Sequence, residues 1–307
     1  GGLATYPSTV LMTVLPALAA GVQDVVLCTP PGRDGEASQV VLAAAYLCGV
    51  AEVFLAGGVQ AIAAMTYGTE SLKAVDVIAG PGNAWVAMAK QEVAGQVGIA
   101  SAFAGPSEIA VIADNTCPPS SAAVDLALQA EHGPGGRAWL ITWDAAYADE
   151  VESATRKIVS LSPRSRETRT TIETGGFVCL VDDPLQAMSV VNVLAPEHVQ
   201  LMFENARSFV GQIRHAGAVF IGNWAPASIG DYVAGPSHVL PTSGTARFSG
   251  ALGTADFQKK MHIVEVSKEG FDELRSVVAE LAVAEGLWAH GVSVSERERW
   301  ADGGVSK

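Results

Sequence analysis

Along most of the chain, short apolar runs alternate with longer stretches in which apolar residues recur every three or four positions. The short runs at residues 24–28 (DVVLC), 52–55 and 75–78 read as buried strands. The stretches at 8–20, 37–48, 59–65 and 83–93 read as helices, with Ser8 placed to cap the first. Gly105 and Pro106 punctuate the pattern, and a second series follows. Its strands are expected at 108–113, 138–142, 176–181 and 218–221. Its helices are expected from a cap at Ser120 or Ser121 to about residue 131, and at 145–160 and 184–193. From about residue 254 the texture changes, and residues 271–289 have helical apolar spacing with acidic and basic residues between. Strand–helix alternation of this kind predicts parallel β-α-β units. The expected fold is therefore α/β: two tandem Rossmann-like units, residues 1–105 and 106–253, followed by a helical tail, residues 254–307.

The segment 41–59 is apolar enough to imitate a membrane span, but Glu52 interrupts it and Gly49 reads as a turn. No signal peptide is visible, and a cytoplasmic location is expected. The chain starts Gly-Gly without a methionine, which reads as a fragment.

Charge narrows the function. The formal net charge is −13, from 19 basic and 32 acidic residues, and the only Arg-rich stretch, 164–169, is short and broken by Glu167. A duplex-binding protein needs a basic footprint, so nucleic acid is excluded as a partner and 164–169 is left as a solvated loop or helix end. Cys28, Cys48, Cys117 and Cys179 form no C-x-x-C pair, and three have apolar neighbours. They read as buried structural thiols of a reducing compartment.

Four segments carry candidate chemistry. In Gln129-Ala130-Glu131-His132-Gly133-Pro134, a carboxamide and an imidazole stand three residues apart at an expected helix end, on one face, where Gly133-Pro134 stops the helix. Both can ligate a borderline metal such as zinc; a surface Gln beside a capping His is the plain alternative. In Ala195-Pro196-Glu197-His198, a carboxylate and an imidazole are adjacent after a helix, which suits paired proton transfers, although many exposed Glu-His pairs do nothing. Residues 230–241 (GDYVAGPSHVLP) read as a shaped loop carrying Asp231 and His238 as possible metal or substrate ligands. Glu285 and His290 lie in the tail five residues apart, not a same-face helical spacing, and taken by themselves mark a solvated face. Gly133, Gly135 and Ala138 fit G-x-G-x-x-A, but after a helix and before a strand, the reverse of a pyrophosphate-binding turn.

Together with YPSTVLM (6–12), AGGVQAIAAM (56–65), GPGNAWV (80–86), AGPSEI (104–109) and AEGLWAH (284–290), these segments resemble the histidinol dehydrogenase family, in order and over nearly the whole chain. The resemblance implies a fold of the aldehyde dehydrogenase/histidinol dehydrogenase-like kind. It implies a four-electron, NAD-dependent oxidation of L-histidinol through histidinal to L-histidine. It also implies one Zn2+ per subunit, held by Gln129, His132, Asp231 and His290, the last donated across an intertwined homodimer. Glu197 and His198 are then the catalytic pair, and Ser107, His238 and Glu285 touch substrate, with Glu285 also serving the partner's site. Gln60 and Asn83 touch NAD. On this basis residues 1–105 form the NAD-binding unit, 106–253 the catalytic and zinc-binding unit, and 254–307 the dimerisation tail. The resemblance further implies a segment upstream of Gly1. Relatives that oxidise other alcohols, such as sulfonated diols, share the metal and catalytic framework, and the segment 133–143 resembles the family least; a paralogue of that kind is the alternative. An inactive binding homologue is the non-enzyme alternative, expected to lack the ligands or the Glu-His pair.

Overall fold

The computed structural model describes residues 5–100, 105–133 and 135–301, without the side chains of residues 300 and 301. The chain divides into two compact units, residues 1–259 and 260–307.

The first unit opens with α1 (Pro7–Ala19), β1 (Val26–Cys28), α2 (Gln39–Leu47), β2 (Glu52–Phe54), α3 (Gly58–Tyr67), β3 (Val77–Ile78), α4 (Ala84–Val93) and β4 (Gly98–Ile99). β1 pairs parallel with β2, and β3 with β4. Two small cores follow: Val10, Val14, Val41, Ala44 and Ala45 join α1 to α2, and Ile62, Ile78, Val93 and Val97 join α3 to α4.

The second series builds β5 (Glu108–Ala113), α5 (Pro119–Ala130), β6 (Arg137–Thr142), α6 (Ala145–Leu161), α7 (Ser165–Gly175), β7 (Gly176–Leu180), α8 (Pro184–Leu194), β8 (His198–Met202), β9 (Ala218–Ile221) and α9 (Ala227–Tyr232). Its five strands form one parallel sheet in the order β7-β6-β5-β8-β9. β5 is buried at every position, as a central parallel strand covered on both faces must be. One face packs Ile109, Val111 and Ala113 against Ala122, Ala123 and Leu126 of α5 and Val151 of α6. The other packs Ala110 and Ile112 against Ala187, Met188 and Val191 of α8. Because all five strands run the same way, their amino ends share one edge of the sheet.

Several local expectations are corrected. α1 and α5 open on Pro7 and Pro119, with Tyr6 and Pro118 at the cap positions, so Ser8, Ser120 and Ser121 are not caps. Proline's fixed φ suits the first helical turn, where no N–H partner is needed. Residues 164–169 lead into α7, which the pattern did not announce. β8 was missed because His198 and Gln200 place polar groups on a face where apolar ones are expected. α9 occupies the start of the expected loop 230–241. In the second unit the tail is two helices, α10 (Lys268–Ala284) and α11 (Trp288–Ala301), separated at Gly286, whose φ of +69° ends α10. Within that unit Arg275 of α10 pairs with Glu298 of α11. No helix among the described residues is long and apolar enough to cross a membrane.

All four cysteines are free thiols, Cys48 and Cys117 buried, and burial raises each thiol's pKa. A different buried group stands out in α4. Lys90 is only 3% exposed, donates to the Gly80 carbonyl, and is pulled down by burial to a pKa of about 8.

Two stability outcomes follow. Leu201 is fully buried, so Leu201→Ala should lower unfolding free energy by about 2–5 kcal/mol in urea titrations, whereas Trp224→Ala, at 93% exposure, should change it by less than about 0.5 kcal/mol. For Lys90 the unfolded chain holds its proton to about pH 10.5 and the folded chain only to about 8. Between those values the unfolded state binds more protons, so this group makes stability rise with pH. Lys90→Met should flatten the rise when unfolding midpoints are compared across pH 7–11.

Candidate active site

The register of β5 on β8 places Ile109 opposite His198. This brings the backbone of Glu108, at the start of β5, against the Glu197-His198 pair. The Glu108 N–H donates to Glu197 Oε2 at 2.9 Å, and the Glu108 carbonyl is 3.0 Å from His198 Nδ1. The carbonyl can only accept, so Nδ1 carries a proton, which leaves Nε2 as the reactive nitrogen. Glu197 Oε2 also lies 3.5 Å from His198 Nδ1, and both side chains are buried.

How the chain reaches this point is local. α8 ends on Ala195 in the left-handed region (φ 48°), its N–H closing on the Val191 carbonyl at 2.8 Å. Pro196 and a bend at Glu197 then lead into β8.

Nε2 of His198 has no hydrogen-bond partner in the structure and lies 3.6 Å from Asp231 Oδ1. Asp231 comes from α9, and the way that helix is seated is specific. Phe220 of β9 stacks on the His198 ring, with centroids 5.9 Å apart and 24° between planes. The same ring abuts Gly230: a Cβ there would fall 2.5 Å from two Phe220 ring atoms. Phe220 thus touches both the imidazole and the α9 backbone, and glycine at 230 leaves room for its ring next to Asp231. Burial opposes a charged His198 ring, but the Glu197 and Asp231 carboxylates prevail and push its pKa up to about 10. Acting as a base requires the Asp231 charge to be engaged elsewhere.

Strand alternation puts His198, Gln200 and Met202 on one face, and Met202 packs in the cluster that contains Leu126 of α5. Gln129, one turn beyond Leu126, is 1% exposed, and neither its Oε1 nor its Nε2 has a hydrogen-bond partner. A buried amide left wholly unmatched is costly and marks a place built for a ligand. His132 lies two residues past Ala130, the last residue of α5; Glu131 between them keeps helical dihedrals, and the His132 N–H donates to the Gln129 carbonyl at 3.3 Å. His132 is exposed and its ring parallels Tyr6, 6.4 Å away. Pro134 lies outside the described residues. Among the described residues no three His, Cys, Asp or Glu side chains lie close enough together to hold an ion.

His238 is tied at both nitrogens, Nδ1 to the Asp231 carbonyl at 2.7 Å and Nε2 to Thr9 Oγ1 at 3.2 Å. Ser237 Oγ donates to the Met12 carbonyl, so α1 forms one wall of this region. Ser107 is half-buried beside Glu108, its carbonyl receiving the Arg137 N–H. Asn83 caps α4, its Oδ1 accepting from the Val86 N–H at 3.1 Å, and Gln60 is exposed in the first turn of α3. In the second unit Glu285 is the C-cap of α10 and His290 stands in the first turn of α11, both exposed. Gly286 between them explains a spacing that fits no single helix.

Sequence reasoning missed Glu108, Phe220 and Thr9. Glu108 is an acid at the head of an otherwise apolar strand; burial raises its pKa, and its Oε2 accepts from Ser243 N at 3.1 Å. That polar intrusion was the available signal. Phe220 and Thr9 gave none, since each is ordinary for its element.

The family model described as "Histidinol dehydrogenase" matches residues 1–298. The histidinol dehydrogenase of Bacillus subtilis (strain 168) is 46% identical over 299 residues, which is 97% of this chain and 70% of that protein. That of Neisseria gonorrhoeae is 48% identical over 290 residues, covering 94% and 67%. A crystal structure of histidinol dehydrogenase from Elizabethkingia anophelis superimposes with a TM-score of 0.92 at 37% identity, covering 98% of this chain and 70% of that one.

A methyl at residue 230 must displace either Phe220 or α9. Gly230→Ala should therefore lower kcat by about 10²-fold, the penalty expected for a misplacement of about 1 Å. Steady-state kinetics alongside a melting curve would check this; a well-folded variant with unchanged kcat would show that the contact does not matter.

Proposed function

The chain belongs to the histidinol dehydrogenase family and is an oxidoreductase acting on a CH–OH group, and from that premise we propose how its residues divide the work. The substrate is L-histidinol, taken in two oxidations through histidinal to L-histidine. The observation that carries this reading is the buried Glu197-His198 pair held by the Glu108 backbone.

In the first oxidation the alcohol loses its hydroxyl proton and a hydride from the same carbon. His198 takes the proton at Nε2, the nitrogen left free when Nδ1 donates to Glu108. In the second, water adds to the aldehyde, and the hydrate loses a proton and a second hydride to give the acid. Glu197, beside His198, activates that water. Burial of both groups limits escape and side reactions of the aldehyde between the steps. Ser107, His238 and Glu285 are assigned to substrate contact; for His238 this means exchanging Thr9 for the substrate at Nε2.

NAD is the assigned hydride acceptor. The order strand, glycine turn, helix occurs twice among residues 1–105, at Gly57-Gly58 between β2 and α3 and at Gly80-Pro81-Gly82-Asn83 between β3 and α4. That is the order a dinucleotide diphosphate site uses, with Gln60 in the first turn of α3 and Asn83 at the cap of α4. Residues 106–253 are assigned to catalysis and zinc binding.

The donors Gln129, His132 and Asp231, together with His290 of a second subunit, suit one Zn2+ per subunit; the two orphaned amide atoms of Gln129 support this assignment. Bound zinc would act as a Lewis acid that orients the substrate's imidazole and amine without changing oxidation state. Residues 254–307 are assigned to pairing two subunits, and the exposure of Glu285 and His290 fits service to a partner's site.

Separate assays with L-histidinol and with histidinal test the division of roles. His198→Asn should slow alcohol oxidation by about 10²–10⁴-fold, and Glu197→Gln should impose a comparable loss mainly on histidinal oxidation. Equal effects on both substrates would refute the assignment. Metal analysis of purified protein should find close to one zinc per chain, reduced by Gln129→Ala. Retention of full zinc by that variant would remove Gln129 from the ligand set.

A further inference from the structure

Lys90 is used by none of the chemistry above. It stands in the second half of α4, and its side chain runs back along the helix, as helical side chains do, to reach the turn before the helix. There its ammonium donates to the Gly80 carbonyl. The residue is 3% exposed, and among the described residues it has no ion pair with a carboxylate. Burial is the one influence that moves its pKa. A buried cation without a counter-charge is expensive, and an apolar side chain of the same length would be more stable in its place.

The surroundings point to what would compensate it. Gly80 has φ +108°, and a Cβ on Gly82 would collide with the Val86 side chain, so glycine is required at both positions. The Gly80-Pro81-Gly82 backbone therefore packs closely on the first turn of α4. Asn83 takes up one free N–H of that turn, that of Val86, and the positive end of the helix faces the same way. A buried positive charge thus stands directly behind a glycine turn at a helix start.

We propose that Lys90 is the turn-holding residue of the dinucleotide pocket: it braces Gly80-Pro81-Gly82-Asn83 through the Gly80 carbonyl and, from behind the turn, adds positive potential where the phosphates would lie. This inference rests on the assignment of NAD to this turn. It adds a charged residue to a set that otherwise holds only the amides Gln60 and Asn83.

The test is binding of NADH, ADP-ribose and adenosine to the full chain, as wild type, Lys90→Met and Lys90→Arg, with circular dichroism and melting curves. In Lys90→Met, NADH and ADP-ribose should bind about tenfold more weakly or worse, while adenosine, which has no phosphate, binds as before. Lys90→Arg should recover part of the loss. Raising salt should weaken ADP-ribose binding to wild type and have little effect on Lys90→Met. In turnover, KM for NAD should rise by a larger factor than KM for histidinol. Equal ADP-ribose affinity in wild type and Lys90→Met would overturn the role of Lys90 while leaving the cofactor assignment standing. Failure of wild type to bind NADH would instead overturn the cofactor assignment itself. Parallel loss of adenosine and ADP-ribose would reduce Lys90 to a packing residue. Should Lys90→Met not fold, Lys90→Gln read in the same assays decides.

Discussion

The backbone of one residue, Glu108, anchors the Glu197-His198 pair from two adjacent peptide groups. The N–H of Glu108 holds the Glu197 carboxylate and its carbonyl holds the His198 imidazole. Neither contact depends on a flexible side chain of Glu108. Both follow from the register of β5 on β8, and that register is held by two hydrophobic layers, one on each face of the sheet. Shifting the pairing by one residue would turn His198 to the α8 face and separate the pair from its anchor. The core is therefore what sets which imidazole nitrogen is free.

The two halves of the first unit place their polar chemistry differently. In open α/β sheets ligands ordinarily sit beyond the carboxyl ends of the strands. The glycine turns after β2 and β3 lie at such ends. The Glu197-His198 pair does not, since it lies at the amino ends of β5 and β8, with the end of α5 and its unmatched Gln129 on the same side. The halves are tied together where α1 meets the segment after α9: Thr9 bonds His238, Ser237 bonds Met12, and Val239 and Leu252 pack with Ala100 and with partly buried Met12 and Val77. The segment carrying His238 and the first helix thus share one wall.

Polar groups are buried here at a cost that ordinary packing does not return. Gln129, His198 Nε2 and Gln200 Oε1 are enclosed without partners, and Lys90 is enclosed without a counter-charge. Each desolvated group of this kind destabilises the fold. Three of them group near the Glu197-His198 pair, and the fourth stands beside a glycine turn.

Much of this was legible in the order of residues. Apolar periodicity located most helices and strands, because burial imposes a period of two or of 3.6 wherever an element has one wet face. The adjacency of Glu197 and His198, and the run of motifs from Tyr6 to His290, identified the family because those residues are local in the chain. Periodicity failed at β8, where the function-bearing residues are the polar interruptions themselves. It failed at the helix starts, where proline replaced the expected serine. What no linear reading could supply was contact between distant segments. Glu108 reaches residues some ninety positions away, Thr9 meets His238, and Phe220 touches both His198 and Gly230. Such pairings are decided by how sheets and helices close-pack in three dimensions, and a residue's neighbours along the chain carry almost no record of that.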